Sequence, residues 1–166
     1  MSGIDFVLEA FDRNGRVNRA TLATLKMDDL GHDDGAGGYT VGQHLADMAE
    51  FRYGWLTKVS PQHAESVPSV ADGDQSSFWL TITSIEELQR AFDAGDAAVR
   101  AAVTSAVDEG RKFTGAYESH PVHFLEHTIV HDSHHRGQIL ALLRRAGRPT
   151  EERMELESKS WSIWRE

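Results

Sequence analysis

The chain has 166 residues, 40% hydrophobic and 26% charged, with no cysteine and a formal net charge of −9. That length suits one domain, residues 1–166, able to bury a core without staples, and the missing cysteines exclude disulfides, thiolate ligands, Fe–S clusters and a cysteine nucleophile. The acidic balance argues against nucleic acid and anionic membrane surfaces, no apolar run reaches a membrane span, and the start MSGIDFVLEAFDRNGR is too acidic and interrupted for a signal peptide, so a soluble, cytoplasmic protein is expected.

The first predicted element is a helix over residues 5–30. Phe6, Val7, Ala10, Val17, Thr21, Leu22 and Leu25 approximate an apolar stripe. Gly15 weakens its middle, so a kink or two short helices stay open. GHDDGAGG, with four glycines in eight residues, breaks it; without a lysine or a preceding strand this is a connector rather than a phosphate loop.

A second helix follows in TVGQHLADMAEFRYGWLTKV. Thr40 is its expected N-cap, Val41, Leu45, Met48, Trp55, Leu56 and Val59 form its apolar face, and Pro61 marks its end. Residues 61–83 are rich in turn formers and read as a long loop. FWLTIT within them could be extended, but a lone strand is not a sheet. The third helix opens at SIEE, where Ser84 and Glu87 fit a capping box, and stops at Gly110. The fourth runs from Pro121, a good first helical residue, to Gly147, a good C-terminal cap. Arg144, Arg145 and Arg148 at its end suit the negative pole of the helix dipole. The tail adds a short helix that Trp161 and Trp164 would anchor. The expected fold is therefore all-α: an up-down-down-up four-helix bundle with a short C-terminal extension.

Six of the nine histidines fall between residues 120 and 135. Helical residues four apart lie about 6 Å apart along the axis on nearly one face. His123, His127, His131 and His135 thus offer three i, i+4 pairs, any of which could close on one ion. All four together cannot, because the ends are about 18 Å apart. Periodicity alone does not choose; His131 and His135 sit mid-helix, where a bundle core is driest. His44, at the edge of the second helix's apolar face, is the strongest third donor. His32 and His63 lie in loops.

GQHLADMAEF and HTIVHDSHHRGQILALLRRAG together resemble the DinB/YfiT family of metal-binding four-helix bundles. The resemblance follows helix order over most of the chain and is weakest over residues 60–118. It implies a three-histidine site of His44, His131 and His135, packing or outer roles for His123, His127 and His134, and a homodimer. Three imidazoles would leave an open position, as in catalytic rather than structural zinc sites; they suit zinc, nickel or iron alike. Glu126, Asp132, Asp47 and Gln138 lie within one turn of a ligand and are candidates to fix the imidazole tautomers, whereas Arg136 is expected to make an interhelical ion pair. No nucleophile elbow or dinucleotide fingerprint is present. The expected function is divalent-metal chemistry on a small molecule, either transfer of a low-molecular-weight thiol or hydrolysis. The alternative is a non-catalytic metal-binding stress-response bundle.

Overall fold

The computed structural model describes residues 3–72, 79–80 and 84–166. Among them run α1 (Gly3–Leu22), α2 (Val41–Val59), α3 (Pro61–Ala64), α4 (Ile85–Asp108), α5 (His123–Arg145) and α6 (Thr150–Arg165), with a 3₁₀ helix (Met27–Gly31) between α1 and α2. The fold is an all-α helical bundle, as the periodicity implies. None of the described helices is long and apolar enough to cross a membrane.

The helix ends follow local chemistry. Thr40 Oγ1 accepts the Gln43 N–H while the Gln43 side chain accepts the Thr40 N–H, a reciprocal cap that starts α2. Ser84 Oγ accepts the Glu87 N–H at the start of α4. Gly110 and Gly147 take φ of +64° and +86°, the left-handed geometry that ends α4 and α5. Helix α5 begins two residues later than Pro121 suggested, because residues 121–122 form a turn.

Several expectations are corrected. The buried stripe of α1 carries Leu8, Phe11, Val17 and Leu22, whereas Phe6 is 61% exposed. Gly15 does not interrupt the helix; a Cβ there would meet Asp96 Oδ2 at 2.6 Å, so the glycine serves the close crossing of α1 with α4. The presumed loop begins with a short helix, α3, which carries His63, hydrogen-bonded to Ser60 Oγ at 2.8 Å. Trp79–Leu80 does have a strand partner: β2 (Trp79–Leu80) pairs antiparallel with β1 (Ala71–Asp72). The remainder of FWLTIT lies outside the described residues. Helix α6 is longer than a short tail and is not held by Trp161, which stays exposed. Leu156 is its buried residue, and Arg13 Nη1 donates to Ile163 O at 2.6 Å.

Packing places α1 and α2 each against both α4 and α5. The apolar core divides in two. One cluster holds Leu8, Phe11, Leu56, Val59, Val99, Val103, Phe124 and Leu125. The other holds Leu22, Leu45, Met48, Leu88, Phe92, Ile139 and Leu143. Helices α1 and α5 run from the first cluster to the second, and α2 and α4 run the reverse way. Between the clusters, each helix buries or half-buries polar side chains at the same level: Asn14 and Asn18 on α1, Arg52 on α2, Asp96 on α4, Asp132 on α5. A buried ionic layer thus crosses the middle of the bundle.

Gly95 lets the Arg52 stem lie against α4; a Cβ there would come within 2.7 Å of Arg52 Cδ and 3.1 Å of its Cβ. Gly95→Ala is therefore expected to cost about 1–3 kcal/mol through overpacking, despite the better helix propensity of alanine. Thermal unfolding measures this; an unchanged or raised midpoint would show that the crossing widens without strain.

Candidate metal centre

Helix α2 presents His44 and Asp47 three residues apart, and α5 presents His131 and His135 four residues apart, so each pair shares a face. The two faces meet at His135. Its Nδ1 lies 2.9 Å from His44 Nδ1, and its Nε2 lies 3.2 Å from His131 Nε2 and 3.5 Å from Asp47 Oδ2. One ligand atom each from Asp47, His131 and His135 lies within 4.8 Å of the other two. His44 touches the opposite nitrogen of the central ring.

His135 is buried, with 7% exposure, while His44, Asp47 and His131 are half-buried. Burial, reinforced by His131, His44 and His134, pushes the His135 imidazole down to about 4. Burial and His134 lower His44 as well. Burial raises the Asp47 carboxyl, against the opposing pull of His131. His135 and His44 are therefore neutral near pH 7, the state that coordinates a metal.

The donors fit a divalent ion. Ligand atoms 2.0–2.1 Å from a tetrahedral zinc are about 3.3 Å apart, close to the 3.2 Å and 3.5 Å separations at His135 Nε2. His131 Nδ1 is also buried without a hydrogen-bond partner, which marks a ring whose polar contacts are incomplete as it stands.

This pairing of a second-helix histidine with a late H-x-x-x-H is carried by a chain that the DinB family model matches over residues 2–166. The chain belongs to the DinB family. No curated protein and no solved structure matches it significantly.

The other histidines of this DinB-family chain have separate tasks. His123 pairs with Glu126 at 2.6 Å on the exposed surface, which takes Glu126 away from the centre. His127 Nδ1 lies 3.0 Å from the Tyr117 hydroxyl and packs edge-on against Phe51. Phe51 in turn stacks on His131 at 4.1 Å and holds that ring's plane. His134 is exposed but lies edge-on to His135 at 5.4 Å. Gln138 is exposed rather than turned inward. Arg136 reaches across to α1 but meets amides, not a carboxylate: its Nη1 donates to Asn14 Oδ1 at 2.8 Å and to Asn18 Oδ1 at 2.5 Å.

Two things escaped the sequence reading. Asp47 stands at ligand distance, although spacing alone placed it with the outer groups. Arg52, fully buried, went unnoticed; the signal was a charged residue four after Met48 and four before Leu56, squarely on an apolar stripe. Arg52 Nη2 donates to Asp132 Oδ2 at 2.7 Å and its Nε to Asp96 Oδ1 at 2.7 Å. Burial alone would raise Asp132, but the Arg52 guanidinium and the donors around it hold that carboxyl below the usual carboxylate range. At Asp96 burial outweighs Arg52 and raises the carboxyl, whose Oδ2 has no hydrogen-bond partner.

Proposed function

We propose that this DinB-family chain holds a divalent metal ion between α2 and α5 and uses it to act on a small molecule. The observation that carries the reading is the convergence on His135: a largely buried, neutral imidazole with donors from both helices at ligand spacing on one nitrogen and His44 on the other. His44, His131 and His135 are the proposed ligands; this set requires the His44 and His135 rings to turn, because His44 now faces His135 Nδ1 while His131 and Asp47 meet at His135 Nε2. Such an ion, when bound, would acidify a water or thiol placed on its open position. Asp47 Oδ2, raised by burial, is placed to take up a proton from a substrate O–H or S–H. A cleft of about 410 Å³, lined by Asp47, Phe51, Trp55 and Lys58 among others, opens beside Asp47 and suits a small molecule. Thiol transfer and hydrolysis both use this arrangement.

The test is elemental analysis of tag-free protein loaded in turn with zinc, nickel, iron and manganese, followed by turnover assays. These use a panel of low-molecular-weight thiols with a generic electrophile, and of activated esters and amides. Near-stoichiometric metal with turnover is expected. His44→Ala should lower metal content, while Asp47→Asn should keep the metal and slow turnover. The reverse pattern would make Asp47 the ligand from α2. Failure to take up any of the four metals would overturn the proposal, and tight metal without turnover would leave a non-catalytic metal-binding bundle.

A further inference from the structure

Asp132 follows the candidate ligand His131 directly and is completely buried. Its two oxygens are used unequally. Oδ2 accepts three hydrogen bonds, from Asn14 Nδ2 at 2.6 Å, Asn18 Nδ2 at 2.7 Å and Arg52 Nη2 at 2.7 Å. Oδ1 accepts one, from Arg52 Nη1 at 3.1 Å. A carboxylate oxygen has room for more. The spare capacity of Oδ1 lies 3.9 Å from His131 Nδ1, the buried ring nitrogen that has no hydrogen-bond partner.

We propose that Asp132 is a positioning residue for the centre: its Oδ1 holds the His131 proton on Nδ1, and it thereby sets the direction of every hydrogen bond along His131, His135 and His44. Each neutral imidazole has one N–H and one lone pair. An ionised carboxylate only accepts, so His131 carries its proton on Nδ1 and keeps a lone pair on Nε2. The 3.2 Å contact then requires His135 to donate from Nε2. That leaves a lone pair on His135 Nδ1, and the 2.9 Å contact requires His44 to donate from Nδ1. Asp47 Oδ2, 3.5 Å from His135 Nε2, favours a proton at the same place. The opposite order would aim the His131 Nδ1 lone pair at a carboxylate oxygen in a buried site, where such repulsion is costly. The carboxylate is pinned from α1 and α2, so at 3.9 Å it acts on His131 Nδ1 through its charge rather than through a formed hydrogen bond.

One consequence rests on the proposed metal site. His131 presents its Nε2 lone pair already, whereas His135 holds a proton on the nitrogen that faces His131 and Asp47. Loading through His135 Nε2 therefore requires that ring to change tautomer and His44, whose Nδ1–H would then meet another donor, to change form or turn away, while His131 keeps its own.

The experiment is long-range ¹H–¹⁵N NMR of the imidazoles at about pH 8, above the ordinary histidine range, in metal-free and zinc-loaded protein. Expected without metal are the Nδ1–H form at His131, Nε2–H at His135 and Nδ1–H at His44. With zinc, His135 changes form and His131 does not. An Nε2–H form at His131 in the metal-free protein would overturn the inference. In Asp132→Asn, the three donors at Oδ2 hold the amide oxygen there, give up the single Arg52 Nη1 bond at the other position, and turn the NH₂ toward His131. That ring should then switch to Nε2–H, and zinc affinity should drop by about 10–100-fold. Asp96→Asn alters the other partner of Arg52 and should change neither. Equal losses in both variants would mean that packing, not the Asp132 contact, carries the effect. The metal-free wild-type spectrum decides the matter even if Asp132→Asn does not fold. Absence of zinc uptake would sink the metal reading alone, because the metal-free tautomers are read independently.

Discussion

Arg52→Met is expected to destabilise the bundle by about 3–5 kcal/mol, the range for breaking a buried ion pair by removing one partner. Methionine can follow much of the buried path of the arginine stem, so the cavity contribution is small. The charge is another matter. Asp132 has no exposure and Asp96 little, and both depend on this guanidinium. The substitution also removes the Nη1 bond to Met48 O at 2.6 Å and the contact of the cation over the Phe92 ring at 5.0 Å. Urea unfolding at neutral pH measures the loss.

The pH dependence separates charge from packing. In the wild type Arg52 depresses Asp132, so the stability it contributes is present above the ordinary carboxylate pKa, about 4, and is lost only as pH falls through the depressed value. Asp96, raised by burial, works in the opposite sense and favours the fold slightly as it protonates. Without Arg52, burial acts on Asp132 against only the donors of Asn14 and Asn18, and its folded pKa is expected to rise above the unfolded one. The folded variant then binds protons more readily than its unfolded chain, so acidification relieves it. The stability gap between wild type and Arg52→Met should therefore shrink between about pH 7 and pH 5. A gap of constant size across that range would attribute the loss to packing alone.

The legible parts of this molecule were those written in local chemistry. Thr40, Ser84, Gly110 and Gly147 announce helix ends because each supplies a cap that depends on its immediate neighbours. The i, i+4 spacing of His131 and His135 needs only helix geometry to be read as a shared face. What the sequence hid depends on how helices meet. Asp96, Asp132 and Arg52 lie on three different helices, and nothing local shows that they neutralise one another, although Arg52 falls on an apolar stripe. Gly15 looked like a weakness because propensity counts its entropy and cannot count the Asp96 carboxylate pressed against it. Phe6 looked like core because an apolar side chain near a helix start fits a stripe whether or not a neighbouring helix covers it. Asp47 was discounted for the same reason: its distance to His135 is set by the α2–α5 crossing.

His135→Ala is expected to abolish metal binding while keeping the helical circular dichroism of the wild type. This ring lies within 3.5 Å of His44, His131 and Asp47, so its removal takes away the group on which the other three converge. The drop should exceed the roughly 10–100-fold that loss of an outer partner costs. The fold should survive because the apolar clusters on either side of the polar layer do not include His135. Loss of helical signal would instead identify the metal as structural. Acid provides a second reading in the metal-free state. The folded His135 pKa is depressed to about 4, below the unfolded value near 6.5. Between those values the unfolded chain binds a proton that the folded protein refuses, so stability falls as pH drops through that window. His135→Ala removes this penalty. Thermal midpoints of the two metal-free proteins should therefore converge or cross as pH is lowered from about 7 toward 4.5. Parallel midpoints would show that burial does not hold this imidazole neutral, and would remove that support for its role as a ligand.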